Sequence, residues 1–280
     1  MIFLTRRTTF SAAHRYFLPD LDAEENARLY GPCAHSSGHG HDYIVEVTVK
    51  GELDERTGLV VNINQLKPIL EEVIVEPLDR EYLTIQHPVC RGHVPTCENL
   101  ALLLWEALET ALTRAELPAC LHRLRVAESF YLAAECCMGE REPMVLLTRT
   151  YEFSAAHRLH SVHLSDEENL DLFGKCNNPY GHGHNYKIEV TVQGNVDPRT
   201  GLMVDLAQLD RIVKEEVLDR YDHRNLNADA PEFRELNPTS ENLVKVIWDR
   251  LERHMLGPAL YKVAVRETDR NVFAYYGEPE

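Results

Sequence analysis

The sequence predicts an α+β fold written twice. Motifs recur at a constant offset of 143: FSAAHR at 10–15 and 153–158, GHGH at 38–41 and 181–184, RTGL at 56–59 and 199–202, and PTCENL at 95–100 against PTSENL at 238–243. Over positions 10–109, 45 of 100 residues match their counterparts without a gap. That period far exceeds the 20–50 residues of solenoid repeats, so each copy reads as a whole domain, and 280 residues suit two domains. Within each copy, strand patterns flank a pair of helical patterns, the order of an antiparallel α+β domain. The copies divide as 1–143 and 144–280, near the segment EREPMVLL at 140–147. No long Gly/Ser-rich linker separates them, which predicts close packing.

The elements follow in order. A strand leads into FSAAH, and an irregular stretch follows it, DAEENARLYGPC or DEENLDLFGKC. In HDYIVEVTVKG and HNYKIEVTVQG, Val and Thr alternate at period two, the signature of a strand. LDERTG and VDPRTG end in glycine, so we expect a hairpin turn there. Apolar residues at helical spacing begin after Asn62 and Asp205, which suit N-caps. A second helix opens at Thr96 or Thr239, or at the neighbouring Cys97 or Ser240. A pair of strands closes each copy, around LHRLRVAESFYLAA and YKVAVRETDRNVFAYYG.

Charge and composition exclude several classes of function. Forty-five acids against 29 bases give a formal net charge of −16, the wrong sign for bulk nucleic-acid binding. The acid is shared, −9 in residues 1–143 (22 acids, 13 bases) and −7 in 144–280 (23 and 16). No apolar run approaches the ~18 residues of a membrane helix, and the start MIFLTRRTTF has too short an apolar core for a signal peptide. Seven cysteines at irregular spacing, with no CxxC pair, suit a reducing compartment. We therefore expect a soluble, cytoplasmic protein.

Fourteen histidines cluster, which points to metal chemistry. His39 and His41, like His182 and His184, stand two apart at the entry to a strand, so each pair shares one face. His14 or His157 supplies a third imidazole from a neighbouring strand. Alone, an HGH turn is equally well read as solvated. Both copies keep all three histidines while more than half of the aligned positions differ, which favours the metal. Three imidazoles leave one tetrahedral position open, the catalytic pattern for Zn2+.

Cys33 and Cys176 are the one cysteine pair shared by the two copies, each six residues before the first histidine of HGH. A cysteine beside a cation can act as a thiolate base, whereas an unpaired buried cysteine is ordinarily core. Copy two then has Asp222 followed by His223, a carboxylate–imidazole pair suited to proton relay. Copy one has Asp79 followed by Arg80, and a guanidinium cannot relay a proton. Each copy ends with a strand glutamate, Glu128 in VAESF or Glu267 in VRETD, which if buried could accept a guanidine-like edge bidentately.

FSAAH…GKCNNPYGHGHNY…TGLMVDL…YDHRNLN…PTSENL…RETD closely resembles the 6-pyruvoyltetrahydropterin synthase / 6-carboxytetrahydropterin synthase family. The resemblance covers essentially all of 145–280 and, more loosely, 2–140. It implies the T-fold (tunnelling fold), an antiparallel four-stranded sheet backed by two helices, whose units assemble into trimeric barrels that stack in pairs. A tandem chain would reach six folds as a homotrimer. It implies a substrate, 7,8-dihydroneopterin triphosphate, and Zn2+ on His157, His182 and His184, with His14, His39 and His41 as the copy-one set. Cys176 would be the proton-abstracting base and Asp222 with His223 the relay. Glu267 would grip the pterin, helped by Thr239 and Ser240, with Glu128 and Thr96 at the copy-one positions. In that family the cysteine and the Asp-His pair come from adjacent units, which leaves open whether Cys33 works with Asp222 and His223 and Cys176 with Asp79 and Arg80, or the reverse. The five residues between Cys176 and His182, as between Cys33 and His39, resemble the 6-pyruvoyl-forming branch, while the queuosine-pathway branch, with a 6-carboxy product and acetaldehyde, has a shorter spacer. Arg158, Lys175 and Arg224 are the nearest candidates for the triphosphate. The rival readings are that copy one is a non-catalytic module for pterin binding or assembly, and that the chain only binds or stores metal.

Overall fold

The computed structural model describes residues 1–139, 143–255 and 257–278. Residues 140–142, part of the segment where the sequence places its boundary, lie outside the described residues. The chain forms two compact units, Met1–Thr148 with Gln193–Asp205, and Arg149–Val192 with Leu206–Glu280. The division of the strand-bearing parts therefore falls five residues beyond the 143/144 boundary, and one segment of the second repeat is counted with unit 1.

Unit 1 runs β1 (Ile2–His14), α1 (Ala23–Tyr30), β2 (His39–Gly51), α2 (Ile63–Leu70), α3 (Glu76–Leu78), β3 (Tyr82–Leu83), α4 (Cys97–Arg114), β4 (Ala119–Ala127) and β5 (Leu132–Met138). The second repeat runs β6 (Pro143–His157), α5 (Asp166–Phe173), β7 (His182–Gln193), α6 (Leu206–Val213), α7 (Asp219–Tyr221), β8 (Arg224–Asn225), α8 (Leu226–Asp229), α9 (Ser240–Glu252), β9 (Ala259–Thr268) and β10 (Asn271–Tyr275). Strand order is β5–β4–β2–β1–β3 in unit 1 and β10–β9–β7–β6–β8 in the second repeat. The β1–β2, β2–β4 and β4–β5 pairs are antiparallel. Each four-stranded sheet thus gains a two-residue strand, β3 or β8, which pairs parallel to β1 or β6.

Helix starts follow the sequence chemistry. Asn62 caps α2, and Thr96 and Thr239 cap α4 and α9, each accepting an orphan backbone N–H of the first turn. A π-helical turn follows α2 and α6 at the same place in both repeats, Glu71–Val75 and Lys214–Leu218. Leu66, Leu70, Ile74, Leu100, Leu104 and Leu108 are buried in unit 1, as are Leu209, Val213, Val217, Leu243, Ile247 and Leu251 in unit 2. These are the apolar faces that the helical spacing predicts.

The hairpin expected at LDERTG is not formed. Gly58 N–H donates to the Asp54 carbonyl (2.8 Å) and Asp54 N–H to the Leu59 carbonyl (3.0 Å), closing a turn. The chain then buries Val60 and Val61 and enters α2 at once. No residues remain to pair back along β2, whose second neighbour is β4.

The copy-two version of this turn is built into unit 1. The Thr96 hydroxyl donates to the Gly201 carbonyl (2.7 Å), Met203 N–H to Glu98 Oε1 (3.2 Å), and the Tyr30 hydroxyl to the Thr200 carbonyl (2.9 Å). Leu202 packs on the cluster of Tyr16, Leu18, Tyr30, Ala34 and Val94. Gly201 has φ +74°, and a Cβ there would stand 2.4 Å from Asn99 Nδ2. Only glycine fits.

Candidate active site

Register builds the histidine clusters. On β1 and β2, His14 lies opposite His39, and Ala12 opposite His41, so His41 is the diagonal neighbour of His14 on the same face. Glycine makes the approach possible. Gly38 and Gly181 have φ near +70°, and a Cβ at either would come within 2.7–2.8 Å of the His14 or His157 carbonyl oxygen. The first glycine of GHGH is therefore set by backbone conformation and close contact together.

In unit 2 the ligand atoms of His157, His182 and His184 lie within 4.8 Å of one another, and the same holds for His14, His39 and His41 in unit 1. His157 Nε2 and His182 Nε2 are 3.2 Å apart, and His14 Nε2 and His39 Nε2 2.9 Å. Two nitrogens each 2.0–2.1 Å from a tetrahedral ion stand roughly 3.3 Å apart, so both triads suit Zn2+. Buried His184 Nε2 and His41 Nε2 have no hydrogen-bond partner, an arrangement that costs energy unless something coordinates them. Burial pulls His14 down to about 3, with help from His39 and His41, and lowers His157 and His184. Neutral imidazoles are the ligand form.

Outer partners fix the rings. The Pro238 carbonyl lies 2.8 Å from His157 Nδ1, which leaves Nε2 for the metal. Tyr186 and Tyr43 stand two residues beyond each HGH, with hydroxyls 3.4 and 3.2 Å from Nδ1 of His157 and His14. Each ring stacks on Phe153 or Phe10. The repetition of these tyrosines, and of the proline before Thr96 or Thr239, was the sequence signal for them.

Glu267 completes the unit-2 cluster. Its Oε1 lies 3.8 Å from both His157 Nε2 and His184 Nε2 and accepts a hydrogen bond from the Ser240 hydroxyl (2.9 Å). Thr239 caps α9 one residue earlier. The structure thus brings together five of the predicted residues: three histidines, Glu267 and Ser240. Cys176 sits half-buried in the 3-10 turn Gly174–Asn177, its carbonyl accepting from Leu159 N–H (2.9 Å). Cys33 occupies the matching turn of unit 1.

Asp222 and His223 follow α7 and are held against Ser154 of β6. Ser154 N–H donates to Asp222 Oδ1 (2.8 Å), and His223 N–H returns a bond to the Ser154 carbonyl (2.7 Å). The Ser154 amide holds the Asp222 carboxyl below the usual carboxylate range. His223 Nδ1 stands 3.0 Å from Asp222 Oδ1, its ring 83% exposed and its backbone at φ +56°. Ser154 and His157 are three residues apart on one strand, so they face opposite sides of it. Within unit 2 His223 and Arg224 open on a cleft with Ser154, Ala156, Gly183 and Asn185, and His184 of the triad reaches the same cleft. Asp79 takes the same position in unit 1, accepting from Ser11 N–H (2.9 Å), with Arg80 at φ +63° in place of the histidine. Among the basic candidates, Arg158 is committed to the Asn177 carbonyl and side chain, whereas Arg224 is exposed beside His223.

The family model described as 6-pyruvoyl tetrahydropterin synthase matches residues 3–137 and again 146–278. The chain belongs to the 6-pyruvoyl tetrahydropterin synthase family. The double match coincides with the internal repeat, and each repeat is a T-fold. The human 6-pyruvoyl tetrahydrobiopterin synthase is 50% identical over 140 residues, which are 50% of this chain and 97% of the relative. The synthase of Poecilia reticulata is 48% identical over 132 residues, 47% of this chain and 90% of the relative. The solved Caenorhabditis elegans 6-pyruvoyl tetrahydropterin synthase is 48% identical, with a TM-score of 0.47 over 50% of this chain and 100% of that one.

Proposed function

We propose that the chain is a zinc-dependent lyase that converts 7,8-dihydroneopterin triphosphate to 6-pyruvoyl-tetrahydropterin with release of triphosphate. The observation that carries this reading is the unit-2 constellation: three convergent histidines with Glu267 3.8 Å from two of them and oriented by Ser240. The family membership and the curated relatives named as 6-pyruvoyl tetrahydrobiopterin synthases support it.

His157, His182 and His184 would hold the Zn2+, which when bound supplies Lewis acidity toward the side-chain hydroxyls of the substrate. The remaining roles belong to the chain. Glu267 accepts the amide and amino N–H groups of the pterin, and the Ser240 hydroxyl fixes the carboxylate that does so. Thr239 keeps the helix-start loop in place. Cys176 abstracts the side-chain proton, and His223, its orientation set by Asp222, passes a proton as triphosphate leaves. The outward-facing position of the Asp–His pair supports the view that it serves a site on a neighbouring unit. We take 1–143 to be the diverged copy, without the relay histidine, and 144–280 the copy with the full motif set. The protein acts in the cytoplasm as a homo-oligomer, with the homotrimer of six T-folds as the expected form, a mass near 96 kDa (three times 32.1). No helix among the described residues is long and apolar enough to cross a membrane.

The second reading, formation of the 6-carboxy product with acetaldehyde, shares every residue above and differs in product. Mass analysis of the pterin after incubation of the zinc-loaded protein with dihydroneopterin triphosphate tests both. The 6-pyruvoyl product is expected. A 6-carboxy product would favour the second reading, and neither product would remove both.

A further inference from the structure

We infer that unit 1 holds a metal but no pterin, because its ligand-anchoring groups are already committed to the protein and Tyr16 closes the place beside them. The inference rests on the reading of Glu267 as the pterin anchor. Three positions carry it, each with a different partner in the two repeats.

Glu267 faces its triad, 3.8 Å from two imidazole nitrogens. Its counterpart Glu128 instead accepts the hydroxyl of Tyr16 (Oε2, 3.1 Å), in a pair that is buried throughout. The Tyr16 ring stands edge-on to His14, with centroids 4.7 Å apart. Leu159 occupies the Tyr16 position in the second repeat and has no hydroxyl to offer. Ser240 donates to Glu267, but its counterpart Cys97 turns its Sγ to the Val126 carbonyl (3.1 Å). The Thr96 hydroxyl donates to the Gly201 carbonyl, whereas the Thr239 hydroxyl accepts the Asn242 N–H as the cap of α9.

A pterin edge takes both carboxylate oxygens in a bidentate pair. At Glu128 it would have to displace the Tyr16 hydroxyl. That phenol sits at 4% exposure between His14, Tyr30 and Glu128, so displacement would strand a buried donor. The histidine triad of unit 1 is untouched by this closure and keeps its metal-binding geometry. Its metal then has a structural role, since the ligand cannot come beside it.

Neopterin, a fluorescent pterin without the triphosphate, gives a direct count. Equilibrium dialysis on the zinc-loaded full chain should show one neopterin per chain in the wild type and none in Glu267→Gln. Tyr16→Leu, which installs the residue of the second repeat, should raise the count to two, and adding Glu128→Gln should return it to one. Zinc should stay at two per chain in all four proteins. Two neopterins per wild-type chain would overturn the inference, as would a count of one in a folded, zinc-replete Tyr16→Leu protein. Absence of binding in the wild type, or full binding in Glu267→Gln, would instead remove the anchor reading and this inference with it. Should Tyr16→Leu fail to fold, a wild-type neopterin complex decides: the ligand beside Glu267 alone supports the inference, and a second one beside Glu128 overturns it.

Discussion

The two repeats place the same histidines in the same register, yet surround them differently. In unit 2 the triad looks toward a carboxylate aligned by a serine. In unit 1 the carboxylate is held by Tyr16, and the helix-start threonine by the Gly201 carbonyl. Glu98 is buried and accepts Met203 N–H, while its counterpart Glu241 is exposed. The register of a histidine triad can therefore persist through duplication while the partners of the groups around it change.

The comparison breaks most severely at Glu267. Glu267→Gln keeps the shape but loses charge and acceptor capacity, and kcat/KM for the pterin triphosphate should fall by about 10²-fold or more, while Tyr16→Leu leaves kcat within about twofold. Steady-state kinetics with both variants reads the contrast directly. A second break concerns metal. His184→Ala should lower bound zinc from two per chain to one and abolish turnover, by metal analysis after exhaustive dialysis, since two imidazoles hold Zn2+ poorly.

Stability gives smaller, complementary contrasts. Gly201→Ala forces a Cβ to 2.4 Å from Asn99 Nδ2 and 3.0 Å from Thr96 Oγ1 at φ +74°. It should cost about 2–4 kcal/mol in denaturant unfolding. Gly58→Ala, at φ +70° with nothing within 4 Å of the new Cβ, should cost only the left-handed backbone term, about 1 kcal/mol.

The last contrast is a pH dependence. Burial pushes Glu98 up from 4.5 to about 7. Between those values the folded state binds more protons than the unfolded, so this residue's contribution is fully present below pH 4.5 and falls as pH rises toward 7. Glu98→Gln should therefore gain in Tm relative to wild type as pH is raised from 4.5 to 7.5, measured by calorimetry. No relative gain would place the Glu98 carboxyl in a less desolvated setting.

Much of this was legible in the sequence. The offset of 143 exposed the duplication, and period-two spacing put His39 with His41 and His182 with His184 on one strand face. Thr96, Thr239 and Asn62 were recognisable as caps because their side chains act locally. What the sequence hid depends on distant pairing. Tyr16 and Glu128 are 112 residues apart, and Thr96 and Gly201 are 105 apart, so neither contact leaves a periodic trace. The LDERTG turn read as a hairpin because turn chemistry is local, whereas the strand that would answer it must come from elsewhere in the chain. The hold of the Ser154 amide on Asp222, 68 residues away, likewise leaves no periodic trace.

The central claim is that unit 2 carries the chemistry through its triad, Glu267 and Cys176. The most direct test is to incubate zinc-loaded wild type and Cys176→Ala with 7,8-dihydroneopterin triphosphate and follow triphosphate release together with the mass of the pterin. The account predicts 6-pyruvoyl-tetrahydropterin and stoichiometric triphosphate from the wild type, with formation of that product reduced by at least about 10²-fold in Cys176→Ala. No pterin product from the wild type, or undiminished 6-pyruvoyl formation by Cys176→Ala, would contradict it.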